Sequence, residues 1–179
     1  MANQKKPYRW RAYLDDFQTD ATGRYVYTGK RYAFDGDARS RVVYLMKIVF
    51  FCFLVAVSTI LPECLPPTAI SRTPLTLFPW ALQLISALVL SWSVARLFAH
   101  AAELRAYVWR ATVRTLPGKS LAAAILSSAT LICHVAYLLV RRIPFDGFTA
   151  VRTVSPAVAL VSALLLFFTA RAGKWREIA

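Results

Sequence analysis

Apolar positions in this chain gather into four long blocks, separated by polar, charged or proline-rich connections, and none falls in the first 41 residues. A bilayer core of roughly 30 Å is crossed by about 20 mainly apolar residues at 1.5 Å rise each. The blocks at 42–61, 75–99, 121–140 and 151–170 approach that length. The pattern therefore predicts an all-α membrane protein, a four-helix transmembrane bundle over 42–179 behind a small amino-terminal tail over 1–41. Lys47 sits early enough in the first block for its stem to snorkel back to the headgroups. In the fourth, Ser155 and Pro156 read as an N-cap followed by proline at the first helical position. That start leaves 16 residues from Pro156 to Arg171, about 24 Å of helix, short for a span.

Beyond the second block the helical pattern continues, since Arg96, His100, Glu103, Arg110 and Arg114 fall on one face at helical spacing. Pro117-Gly118 is expected to end this extension, and Ser120 to cap the third span.

The tail carries Tyr8, Trp10, Tyr13, Phe17, Tyr25, Tyr27, Tyr32 and Phe34, too aromatic a set for a segment that stays disordered. The β-prone runs 24–27 and 31–34, joined by Thr28-Gly29-Lys30, read as a β-hairpin ended by a turn at Asp35-Gly36-Asp37. About 40 residues bury too little apolar surface to be stable alone. These eight aromatics are accordingly candidate docking residues, either for the inner face of this chain or for a partner.

Composition agrees with the membrane class: of 179 residues 58% are hydrophobic and 17% charged, outside the range of a soluble domain. Nothing in the tail resembles a signal peptide, so the amino terminus is expected to be uncleaved. Orientation follows from Lys and Arg, which are enriched in cytoplasmic loops. Of the 22, nine precede Val42 and five lie between Arg96 and Lys119, while Arg171, Lys174 and Arg176 follow the last span. Arg72, Arg141, Arg142 and Arg152 fall on the opposite side, with Lys47 inside a span. Both termini and the central link are therefore expected in the cytoplasm of a multi-pass cell-membrane protein. The net charge of +13 then reflects topology and anionic lipid; dispersed along the boundary, it does not form a nucleic-acid-binding face.

Two stretches resemble each other: Thr68-Ala69-Ile70-Ser71-Arg72-Thr73 and Thr149-Ala150-Val151-Arg152-Thr153, followed by similar apolar runs at 84–90 and 160–166. Both runs point from outside to inside, which suggests a parallel repeat of a two-helix hairpin. Small residues spaced four apart (Ala87, Ser91, Ala95 and Ala99; Ser155, Ala159 and Ala163; Ala123 with Ser127, Ala124 with Ser128) mark expected packing seams.

Recognisable chemistry is missing. There is no phosphate-binding glycine loop, no His-Glu-x-x-His and no serine in a catalytic setting. Cys52, Cys64 and Cys133 are widely spaced and read as unreactive. His100 and His134 could suggest haem ligation, but His134 lies about 14 residues, roughly 20 Å, along a helix that starts at the level of His100. No metal, cofactor or catalytic residue is assigned. His134 remains as the ionisable group deep within a span, a candidate intramembrane polar site. The leading expectation is a non-enzymatic accessory or regulatory subunit of a larger membrane complex, such as a transporter, contacting lipid and either a larger membrane protein or copies of itself. The alternative is a small oligomeric transporter or channel for a small solute or anion, with Arg141, Arg142 and Arg152 attracting anions at its outer mouth. A membrane-embedded enzyme ranks third.

Overall fold

Asp37 and Asp146 open the first and last long helices by accepting hydrogen bonds from the backbone N–H of Ser40 (3.3 Å) and Thr149 (2.7 Å), the usual way an aspartate satisfies an orphan donor. Pro74 and Pro117 occupy the first turns of the middle two, where a missing N–H costs nothing. The computed structural model describes residues 17–19, 23–100 and 103–178. In chain order they form β1 (Phe17–Thr19), β2 (Tyr25–Tyr27), β3 (Arg31–Phe34), α1 (Ala38–Ile60), α2 (Pro74–Ala99), β4 (Leu104–Arg105), α3 (Ala106–Ala111), α4 (Leu116–Arg141), α5 (Gly147–Ala172) and β5 (Trp175–Ile178). Short 3-10 turns follow α1 at Leu61–Cys64 and precede α2 at Ile70–Arg72.

The four long helices are each long and apolar enough to cross a membrane. They pack as a ring in the order α1, α2, α4, α5, with α1 and α4 running away from the strands and α2 and α5 returning. Ile48, Leu90, Leu116 and Leu166 fill the centre, with Ala123, Ala124, Ala159 and Ala163 letting the backbones approach. Of the expected small-residue seams, those on α4 and α5 are largely buried, whereas Ser91, Ala95 and Ala99 of α2 are not. Outward positions are apolar: Phe53, Phe78, Trp92, Ile132 and Leu139 are all more than half exposed. Buried positions include Ser93, Ser120, Ser127, Thr130 and Ser162. A sheath of large apolar side chains around a partly polar interior suits a lipid surround.

The buried positions repeat along the chain. Leu45, Ile48, Cys52, Val55 and Thr59 of α1 correspond to Ser120, Ala123, Ser127, Thr130 and His134 of α4, each 75 positions later. Thr76, Gln83, Ala87, Leu90 and Val94 of α2 correspond likewise to Arg152, Ala159, Ala163, Leu166 and Ala170 of α5, each 76 later. The two hairpins thus present equivalent faces to each other. The Thr68–Thr73 stretch itself lies in a loop and 3-10 turn, while its counterpart at 149–153 is helical.

Four expectations need correcting. The last helix does not start at Ser155-Pro156: Asp146 caps it, Pro156 lies inside it, and it reaches 26 residues. The third begins at Leu116, with Pro117 in its first turn, so Ser120 is internal and its hydroxyl donates back to the carbonyls of Leu116 and Pro117, both at 3.0 Å. The extension of α2 is broken after Ala99, because Leu104 and Arg105 pair with Tyr32 and Arg31. The hairpin of the tail is also different. β2 pairs with β1, matching Phe17 with Tyr27 and Thr19 with Tyr25. β3 instead becomes the centre of a sheet in the order β4, β3, β5, with Arg31 to Phe34 matched to Ile178 to Trp175. Four residue pairs with β5 and two with β4 satisfy both edges of β3, which a hairpin with β2 would leave half open.

That sheet closes one end of the bundle. Tyr32 stacks on Trp109 (centroids 4.5 Å apart, 12° between planes), and Phe34 lies between Tyr44 (5.0 Å) and Trp175 (5.7 Å). Gly173 links α5 to β5 against the Tyr44 ring, where a β-carbon would sit 2.7 Å from Cε2 and closer to the hydroxyl.

Candidate functional site

Among the described residues, buried charge concentrates at the end opposite the sheet. Glu63 lies on the 3-10 turn that continues α1, Arg152 on the second turn of α5, and His134 two turns before the end of α4. The Arg152 side chain is 2% exposed, with Nη1 2.7 Å from Glu63 Oε1. Its Nη2 donates to the carbonyls of Leu65 (3.1 Å) and Pro66 (3.4 Å). Guanidinium suits this position because one planar group can serve a carboxylate and two carbonyls together. A buried charge is tolerated only when paired in this way. Arg152 therefore pins the Pro66-Pro67 loop to the bundle and does not join Arg141 and Arg142 as an exposed anion attractor.

His134 answers a different need. Pro156 has no N–H, so the carbonyl four residues earlier in α5, that of Arg152, lacks its helical donor. His134 Nδ1 lies 3.1 Å from that oxygen, and Ser155 Oγ donates to it at 3.3 Å. Proline inside an apolar helix is accommodated when a neighbouring helix re-satisfies the freed group. The contact with Nδ1 sets the neutral ring as the Nδ1–H tautomer.

The polar seam continues along α1 and α2. Trp80 Nε1 donates to the Thr59 carbonyl and Gln83 Nε2 to Thr59 Oγ1, both at 3.1 Å, while Thr59 Oγ1 donates to Val55 O at 2.8 Å. Thr76 Oγ1 donates to the carbonyl of Ile70, fastening the second 3-10 turn to α2. The space enclosed by Glu63, Trp80, His134 and Arg152 is only about 10 Å³, at most one water. Chemically the cluster is a clamp, with no room for a substrate beside its charges.

Among the described residues no three His, Cys, Asp or Glu side chains gather to hold a metal. His100 is exposed at the sheet end, its ring against the Arg96 carbonyl at 3.1 Å, far from His134. Glu63 escaped sequence reasoning. Its signal was available, since it is the only carboxylate between Asp37 and Glu103 and adjoins an apolar block facing Arg152 across the bundle.

The tail aromatics divide. Tyr27 is buried: its hydroxyl donates to Lys30 O (3.1 Å) and accepts from Ala106 N (3.0 Å), under the Arg105 guanidinium 5.4 Å away. Tyr32 and Phe34 pack on the core of the same chain. Phe17 and Tyr25 lie in β1 and β2, while Tyr8, Trp10 and Tyr13 lie outside the described residues. Around the sheet, Lys30–Glu177 (2.7 Å), Arg31–Glu103 (3.1 Å) and Arg176–Asp35 (3.9 Å) form exposed ion pairs, each worth little to stability. The hydrogen bond and charge of Glu177 hold the Lys30 amine above its ordinary range.

Two apolar grooves open on the outer face. One, of about 450 Å³, runs between α1 and α5 past Leu54, Leu61, Val154 and Val158; the other, of about 300 Å³, runs between α1 and α2 past Phe53, Ala56, Ala95 and Phe98. No protein family, curated protein or solved structure matches the chain.

Proposed function

We propose that this chain is a non-catalytic accessory or regulatory subunit of a larger membrane complex, such as a transporter, with four membrane spans and both ends of the chain in the cytoplasm. The observation that carries this reading is the contrast between a filled interior and an open exterior. The charged cluster encloses about 10 Å³, whereas grooves of about 450 and 300 Å³ face outward among large apolar side chains. Such a surface favours helix-to-helix contact in lipid over a pathway through a single bundle. The orientation is supported by the sheet end, which carries most of the Lys and Arg among the described residues.

Tyr27, Tyr32 and Phe34 are engaged with their own chain. A partner would therefore meet the sheet they support, Tyr8, Trp10 and Tyr13, and the outer grooves. Purification of the tagged chain from its native membrane in mild detergent, with mass spectrometry of what accompanies it, tests the reading. A stoichiometric larger membrane protein, lost when residues 1–41 are deleted, is the expected result. A homogeneous self-oligomer without another protein would overturn it in favour of an oligomeric transporter or channel, to be pursued by flux assays in liposomes.

A further inference from the structure

At the start of α1, exposed cations line a groove that neither the clamp nor the sheet fills. Arg39, Ser40, Val43, Tyr44 and Lys47 line a groove of about 390 Å³, closed on its other side by Thr169 and Ala172 of α5. Their spacing puts them on one face of the helix, with Arg39 and Lys47 about 12 Å apart along its axis. Both cations are exposed, and among the described residues neither has a carboxylate within ion-pairing distance. The nearby Asp37 carboxylate is engaged by the Ser40 N–H. Lys47 is the more telling of the two, because an ammonium in an apolar helix requires a counter-charge or water within its reach. Tyr44 lines the inner side of the groove at 8% exposed, with its hydroxyl buried against Gly173 beside Trp175. Below the groove, Val43, Met46 and Phe50 of α1 and Leu165 and Phe168 of α5 are exposed, forming an apolar track.

We infer that this groove binds the headgroup of an anionic phospholipid, with its phosphate between Arg39 and Lys47 and an acyl chain along the apolar track. The chemistry fits each part. Arg presents a planar fork to phosphate oxygens, and Lys supplies a compact charge. Basic pockets between spans at the cytoplasmic boundary suit such headgroups. The inference rests on the four-span membrane reading and is independent of whether a protein partner exists.

The test is native mass spectrometry of detergent-solubilised protein titrated with palmitoyl-oleoyl phosphatidylglycerol or phosphatidylcholine, with thermal unfolding of the same samples. Wild type is expected to retain the anionic lipid preferentially and to be stabilised by it, losing about fivefold in retention for each of Arg39→Gln and Lys47→Gln. Arg110→Gln and Arg114→Gln, each removing one charge from an exposed position at the same end, are expected to retain it as wild type does. Equal retention of the two lipids, or equal loss in these controls, would overturn the site. Displacement by inorganic phosphate at concentrations comparable to the lipid would overturn the role of the acyl chain. Recovery of the chain in the soluble fraction without detergent would instead overturn the membrane reading on which the site rests.

Discussion

His134 Nδ1 lies 3.1 Å from the carbonyl oxygen of Arg152, the oxygen that Pro156 deprives of its helical donor. A residue that reads in sequence as an intramembrane titratable site is thus the repair for a proline on the neighbouring helix. His134→Ala is expected to lower stability by about 1 kcal/mol, the usual worth of an interhelical hydrogen bond in lipid. Ser155 Oγ retains partial satisfaction of the same oxygen. In a Pro156→Ala background, which restores the backbone donor, the same substitution should cost much less. Thermal unfolding of the four proteins in detergent measures the coupling, and simple additivity would refute the repair.

Glu63 and Arg152 form the second testable pair. Glu63→Gln leaves the guanidinium buried without its counter-charge and is expected to cost about 3 kcal/mol. Glu63→Leu combined with Arg152→Met removes both charges and should be more stable than Glu63→Gln alone, although Leu65 and Pro66 lose a donor. Urea or thermal unfolding in micelles compares them. An unaffected Glu63→Gln would mean that the two carbonyls hold Arg152 by themselves.

Tyr32 and Trp109 bind the sheet to the bundle. Trp109→Ala removes a stacked pair worth about 1 kcal/mol beyond its area, and should speed proteolytic cleavage near β3. Trp109→Phe keeps a ring and removes an indole N–H that is buried without a partner, so it should be neutral or stabilising. Limited proteolysis followed by mass mapping distinguishes the two variants.

Asp146 gives a pH signature. Its hydrogen bonds from Thr149 lower the carboxyl below its ordinary 3.8. With the folded value depressed, the contribution to stability is present above the unfolded value and is lost as pH falls through the folded one. Asp146→Asn keeps an N-cap acceptor that does not titrate. The unfolding temperature of wild type minus that of Asp146→Asn should therefore fall below about pH 4 and stay flat between pH 5 and 7.

The sequence by itself determined the four apolar helices, because a span is a local property of about 20 residues and their hydropathy. It also determined the gathering of Lys and Arg at one end of the bundle. Tertiary structure decided what local signals could not carry. Ser155-Pro156 reads as a helix start, yet His134 from another helix lets α5 pass through the proline. Residues 31–34 have β-prone side chains, but their strand partners lie at 104–105 and 175–178, and pairing across such separations leaves no mark in a local window. Arg152 reads as a loop cation until the fold brings Glu63 within 2.7 Å of it. Periodicity and composition report how each segment meets its solvent, while hydrogen bonds and ion pairs between distant segments depend on which surfaces the bundle brings together.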